Sequence, residues 1–211
     1  MNRKRITKKA TLALVAMMTV TSVVGCSQSN NSNKNQQGSN QKTEQKTEQK
    51  TDKNTNSSLS SSTIFKDMKT TDIDGNKVDK SIFSKYKLTM VNVWNTGCSP
   101  CISEIPTLDR LNKEYREKGV SIKGMLLESG IGLTDEATAK EILSKANATY
   151  QQLTVTKDMV EKDDTLLLQA FPTTFFIDKD GNIVDSIEGS NDYDGWKAKI
   201  DEVLKKVEAN E

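Results

Sequence analysis

From residue 63 onward the chain alternates between stretches with strand spacing and stretches with helical spacing. Residues 88–94, Leu-Thr-Met-Val-Asn-Val-Trp, are β-rich and apolar at most positions, the mark of a strand covered on both faces. From Ser99, the apolar residues Ile102, Ile105, Leu108, Leu111 and Tyr115 recur three or four apart, which predicts a helix running to a stop at Gly119. A second strand is expected at 120–127. A helix is expected at 134–148, with Thr134 as N-cap and the acidic Asp135 and Glu136 at its positive end. Residues 165–170 read as a short helix that must end before Pro172. Residues 173–177 and 183–187 flank Asp178-Lys179-Asp180-Gly181-Asn182, a hairpin signal, and residues 64–81 read as another hairpin with Asp74-Gly75-Asn76 at its turn. An amphipathic helix at 193–207, apolar at Trp196, Ile200, Leu204 and Val207, closes the chain. This order implies an α/β domain at 63–211: a central mixed sheet flanked by helices on both faces, with an N-terminal β-hairpin extension.

Upstream of residue 63 the pattern is different. Arg3, Lys4, Arg5, Lys8 and Lys9 precede an apolar run from Ala10 to Val24, a basic region followed by about 15 apolar positions. That run has the length of a secretory signal and is short for a membrane span. Val23-Val24-Gly25-Cys26 resembles the lipobox of bacterial lipoproteins, in which the cysteine becomes the first mature residue and carries a diacylglycerol thioether. The resemblance implies a signal peptide at 1–25 and a lipidated Cys26, hence attachment to the outer face of the cell membrane, since two acyl chains suffice for stable anchoring. Residues 27–62 are almost wholly Ser, Asn, Gln, Lys, Thr and Glu, with Leu59 the one large apolar side chain and a short repeat at 41–52. Such a segment buries too little surface to offset its ordering entropy and is expected to act as a disordered tether. Its root-mean-square span is on the order of 30 Å.

Charge narrows the partners. The chain carries 30 basic and 29 acidic residues, and removal of the five basic residues before Cys26 leaves the mature side chains at a formal charge of −4. Nothing in that balance attracts nucleic acid.

Of the three cysteines, Cys98 and Cys101 lie three positions apart, at the start of a helix that follows a buried strand. Free backbone N–H groups and the positive dipole end there favour the thiolate of Cys98. Cys101, one turn deeper, is placed to resolve a mixed disulfide, and Pro100 suits the first turn because its missing N–H costs nothing there. A purely structural bridge over so short a loop would stabilise the fold weakly. Zinc wants four ligands, and the chain has no histidine and no fourth cysteine. Copper held with a Met ligand is a remoter alternative, and haem attachment needs His where Ile102 stands. No metal or other cofactor is therefore expected.

Several further residues make the chain resemble the thioredoxin-like proteins, in particular the membrane-tethered extracytoplasmic branch of the TlpA and ResA kind, over residues 64–207. Trp94 stands four before Cys98, Glu104 and Pro106 follow the pair as Glu-x-Pro, and Phe171-Pro172-Thr173-Thr174-Phe175 with Ile177-Asp178 matches the cis-proline loop and the strand after it. The resemblance implies that Phe171 and cis-Pro172 form a wall of the client groove, with Gly97, Ser99 and Pro100 around it. Trp94 borders that groove too, although its position reads as core more than as client contact. Glu104 is expected to take or relay the Cys101 proton. Asn92 replaces the buried Asp of cytoplasmic thioredoxins and is expected only to satisfy a backbone group. Gly97 departs from the aromatic residue that commonly precedes the first cysteine.

The function so implied is a thiol-disulfide oxidoreductase that reduces disulfides in exported proteins, acting as a monomer. Its electrons are expected from a membrane donor of the CcdA or DsbD kind, and its clients to include apocytochrome c or a methionine sulfoxide reductase. The alternatives are a disulfide-forming oxidase, a peroxiredoxin-type peroxidase, and a non-catalytic binding lipoprotein. Cys-Ser-Pro-Cys lacks the His of strongly oxidising relatives, and Asn95 stands where a peroxidase needs Thr.

Overall fold

The computed structural model describes residues 61–132 and 136–210. The expected signal segment, Cys26, the repeat and the Thr134 cap lie outside the described residues.

The N-terminal hairpin consists of β1 (Lys69–Thr71) and β2 (Lys77–Asp79), paired antiparallel with Lys69 opposite Asp79. Asp72 closes its turn by accepting from the backbone N–H groups of Asp74 and Asn76, the local bonding that makes Asp a turn residue. Next comes β3 (Leu88–Trp94), buried at every position, and then α1 (Ser99–Tyr115). A 3-10 turn follows α1 and ends at Gly119, whose φ of 81° is the left-handed conformation glycine adopts freely. The chain continues through β4 (Val120–Leu126), α2 (Glu136–Lys145), β5 (Gln152–Thr154), α3 (Lys157–Lys162), β6 (Thr173–Asp178), β7 (Ile183–Glu188) and α4 (Tyr193–Glu208).

The main sheet has the order β5-β4-β3-β6-β7. Parallel pairing of β3 with β4 and antiparallel pairing with β6 make it mixed, and put β3 at its centre, as its continuous apolar run requires. Side chains alternate between the two faces. Leu88, Met90 and Trp94 pack with α1, α2 and α4, whereas Val91 and Val93 face Phe65, Met68, Phe83 and Met159. The second face is thus covered by the N-terminal segment and short α3 rather than by long helices. On that side Phe65 stacks edge-on to Phe83 at 5.7 Å and tilts onto Phe175 at 5.8 Å. The N-terminal hairpin laps the free edge of β5: Ile73 N–H donates to Gln152 O at 2.9 Å and Thr154 Oγ1 donates to Thr71 O at 2.9 Å. Covering an edge in this way removes a row of unpaired backbone groups.

Four elements depart from the sequence reading. The expected helix at 165–170 is only a 3-10 turn at Asp164–Leu166. Asp163 pins its start, one carboxylate oxygen accepting from Thr165 N–H and the other from Ser62 Oγ and Thr63 N–H, and the residue before Pro172 cannot remain helical. The helix expected at 134–148 ends at Lys145, because Asn147 turns left-handed with φ of 52°. Strand β5 and helix α3, at 3 and 6 residues, were too short to carry a period.

Gly124 on β4 shows how tightly this core is specified. An added Cβ would lie 1.8 Å from Gln152 Oε1, the atom that accepts from Trp94 Nε1–H at 3.0 Å while Gln152 Nε2 donates to Tyr150 O at 3.3 Å. Gly124→Ala must expel that amide and orphan the indole N–H. The expected cost is about 1–3 kcal/mol in denaturant unfolding, and an unchanged midpoint would show that the amide has another place to go.

Candidate active site

All the expected site residues but one gather at a single end of the sheet. Val93 pairs with Thr173 and Trp94 with Leu126, so the loops after β3 and β4 and the loop before β6 emerge side by side. Thr173 pairs with Glu188, which adds the loop after β7. The missing residue is Cys26, outside the described part.

The loop into α1 is held from two directions. Asn95 accepts from Gly97 N–H through its side chain and from Cys98 N–H through its carbonyl. Glu128, just past β4, accepts from both the backbone N–H and the hydroxyl of Thr96, at 3.1 and 3.0 Å. Cys98 then becomes the N-cap of α1, with Ser99 and Pro100 exposed in the first turn. Its sulfur accepts from Cys101 N–H at 3.2 Å and is joined to the Cys101 sulfur in a disulfide, with 5.3 Å between the Cα atoms. The two sulfurs are not equivalent: Cys98 is 9% exposed and Cys101 fully covered. A N–H directed at the outer sulfur is the arrangement that stabilises a thiolate there once the bridge opens. Gly97 is exposed, and a Cβ on it would meet only Asn95 Oδ1 at 3.6 Å, so packing does not forbid a side chain at this position.

The Phe171–Pro172 peptide is cis. Pro172 is buried, its carbonyl accepts from Gly189 N–H at 2.8 Å, and half-buried Phe171 packs against both halves of the core. Trp94 is 1% exposed. Its indole packs inward with Gln152 as partner, so a groove-bordering role for that side chain is corrected to the core role its sequence position already suggested.

Glu104 is the unusual member. It lies on the inner face of α1, 4% exposed, with three donors on its two oxygens. Asn92 Nδ2 donates to Oε1 at 2.8 Å, while Trp196 Nε1–H and Asn191 N–H donate to Oε2 at 2.8 and 3.2 Å. Burial pushes the Glu104 carboxyl above its ordinary range, and the bonds from Trp196, Asn92 and Asn191 pull the other way without cancelling it. None of these three partners was assigned to Glu104 from sequence. Asn92 bonds side chains, Glu104 and Thr174 Oγ1, rather than a backbone group. Trp196 packs α4 onto the sheet as expected, but its N–H also reaches the carboxylate. The one signal for Asn92 was a polar residue inside an apolar strand. Nothing in the spacing pointed Trp196, in the last helix, at an acid in the first.

The Redoxin family model matches residues 56–204. Among curated relatives, the thiol-disulfide oxidoreductase ResA of Bacillus anthracis is 32% identical over 138 residues, which cover 65% of this chain and 72% of its own. The thiol:disulfide interchange protein DsbE of Pseudomonas fluorescens biotype C is 33% identical over 141 residues, covering 65% and 70%. Among solved structures, a thioredoxin-family thiol:disulfide interchange protein from Chlorobium tepidum TLS shares the fold with a TM-score of 0.54 at 22% identity, over 65% of this chain and 92% of that one. StoA from Bacillus subtilis does so with a TM-score of 0.51 at 18% identity, over 62% and 93%. Fold, cysteine pair and sequence agree: the chain belongs to the Redoxin family and is a thioredoxin-like thiol-disulfide oxidoreductase of the TlpA and ResA type.

Proposed function

We propose that this oxidoreductase works as a reductant outside the cytoplasmic membrane, held there by a lipid on Cys26. The observation that carries the chemistry is the asymmetry of the pair. Cys98, the reachable sulfur at a helix N-terminus, attacks a client disulfide, releasing one client thiol and leaving a mixed disulfide. Covered Cys101 then attacks the Cys98 sulfur. The client leaves fully reduced, and its two electrons are balanced by the new Cys98–Cys101 disulfide. A membrane donor of the CcdA or DsbD kind returns the electrons, and exported disulfide proteins, among them apocytochrome c or a methionine sulfoxide reductase, are the clients.

Support for a client groove comes from the surface. Among the described residues the two large apolar side chains left exposed are Ile131 and Leu167, in the loops after β4 and before β6 that flank the cysteine end of the sheet. Exposed apolar groups on loops at the end of the sheet that carries the reactive pair suit an extended polypeptide. Gly97, Ser99, Pro100, Phe171 and Pro172 supply the rest of that wall. The reducing direction is supported by Ser99 and Pro100 between the cysteines, since neither brings the positive charge that makes a pair strongly oxidising. The membrane position is supported by the sequence around Cys26. Among the described residues no helix is long and apolar enough to cross a membrane.

The deciding measurement is the reduction potential of the pair, with the purified protein equilibrated in thiol buffers of known poise. A value at or below about −250 mV is expected, near thioredoxin, whereas one near about −120 mV would make the protein an installer of disulfides.

A further inference from the structure

We propose that Trp196 and Asn92 are positioning residues that hold the Glu104 carboxylate one turn below Cys101 and set the pH at which it can accept the Cys101 thiol proton. This rests on the reading of Glu104 as that acceptor.

The donor set is the first argument. Indole N–H can only donate, a backbone N–H can only donate, and Asn92 presents its Nδ2 rather than its oxygen. Three donors converge on two oxygens with no acceptor among them, an arrangement made for an ionised carboxylate. A neutral acid must find somewhere else to send its own O–H. Yet among the described residues no basic side chain bonds to Glu104, so no full positive charge offsets its burial. The acid is thus balanced between loss of water, which favours the neutral form, and three dipoles, which favour the charged one. Altering one dipole tips that balance.

The origins of the donors are the second argument. Asn92 comes from β3, and Asn191 and Trp196 from the loop after β7 and from α4. Asn92 also donates to Thr174 Oγ1 on β6 at 3.0 Å, so its amide is fixed from two sides. The groups around the carboxylate are then Cys101 from α1, Asn92 and Thr174 from the sheet, Asn191 and Trp196 from the last loop and helix, and buried Tyr150 from the loop before β5. Burial holds the Tyr150 hydroxyl well above its ordinary value, so it stays neutral while Glu104 titrates. Cys101 and Glu104, three apart on one helix face, are neighbours.

The proton has a definite path in the resolving step. Glu104 takes the Cys101 proton, the thiolate attacks the Cys98 sulfur, and the electron pair of the bond between Cys98 and the client leaves with the client sulfur. That sulfur then takes up a proton.

The test uses the reduced whole protein and an aromatic disulfide, dithionitrobenzoate, which releases one coloured thiolate when Cys98 attacks and a second when Cys101 resolves. The rate of the second release is followed against pH. In Trp196→Phe, which keeps the apolar ring and removes the N–H, one stabilising dipole is gone, so Glu104 stays protonated to higher pH. The low-pH limb is expected to move up by about one pH unit, a roughly tenfold slower release on that limb with the high-pH plateau unchanged. Asn92→Leu, which removes the donor on the other oxygen, should move the limb in the same direction. In a Glu104→Gln background Trp196→Phe should move nothing. Profiles of both single variants that overlay the wild type, while Glu104→Gln abolishes the limb, would overturn the positioning role and leave Glu104 standing. A limb that survives Glu104→Gln would overturn the reading of Glu104 itself. Thermal melts of each variant separate misfolding from titration, since loss of packing lowers the melting temperature and the plateau without moving the limb.

Discussion

Cys98→Ser is expected to reduce insulin disulfides no faster than buffer, while Cys101→Ser should still attack once and then stall. The difference follows from exposure and chemistry together. Attack needs an accessible anionic sulfur, and Cys98 is the one that reaches solvent and receives the Cys101 N–H. A serine hydroxyl in its place is not ionised at neutral pH and forms no disulfide. Removing Cys101 leaves the attacking sulfur intact but takes away the group that frees the client, so a covalent adduct should accumulate and be visible by mass spectrometry. If Cys98→Ser kept more than half of the wild-type rate, or if adducts formed on Cys101 instead, the assignment of the two sulfurs would be reversed. Loss of both activities in Cys101→Ser without any adduct would argue against a mixed-disulfide route.

The second large effect is expected far from the cysteines. Phe65→Ala should cost about 3–5 kcal/mol, the range for removing a fully buried aromatic ring. Phe65 is 1% exposed and packs with Phe83 and Phe175, joining the segment before β1, the turn after β2 and strand β6. Because long helices cover only one face of the sheet, the N-terminal segment is the covering layer of the other, and its rings replace what a helix would bury there. Denaturant unfolding measures the loss directly. A cost under about 1 kcal/mol would mean that the segment is an ornament on a domain that begins later.

How much of this was legible depends on the length of each pattern. Strand β3 was read at its true limits because seven successive buried positions leave no alternative face. Helix α1 was read because five apolar side chains kept one stripe to a glycine stop. The hairpin of β6 and β7 was announced by its Asp-Gly-Asn turn. Strand β5 holds only Gln152, Leu153 and Thr154, and its membership of the sheet depends on pairing with β4, a long-range fact no local window contains. The stretch at 165–170 misled for a related reason: its run of Leu166, Leu167, Leu168, Gln169 and Ala170 is made of good helix formers, but anchoring by Asp163 and the turn into Pro172 override propensity. In the site, the cysteines, Glu104 and Pro172 could be found because a motif fixes their spacing. Trp196 could not, since its distance from Glu104 along the chain is 92 positions and only the fold closes it.

The order in which the chain is made gives that last bond a meaning in time. Cys98, Cys101 and Glu104 are all synthesised before the loop and helix that carry Asn191 and Trp196. Until α4 docks, the carboxylate lacks two of its three donors and stays open to water. A nascent or C-terminally clipped chain therefore holds both cysteines but only part of the donor set around Glu104, so, with Glu104 as the proton acceptor proposed above, the resolving step should reach its full rate only once α4 is in place.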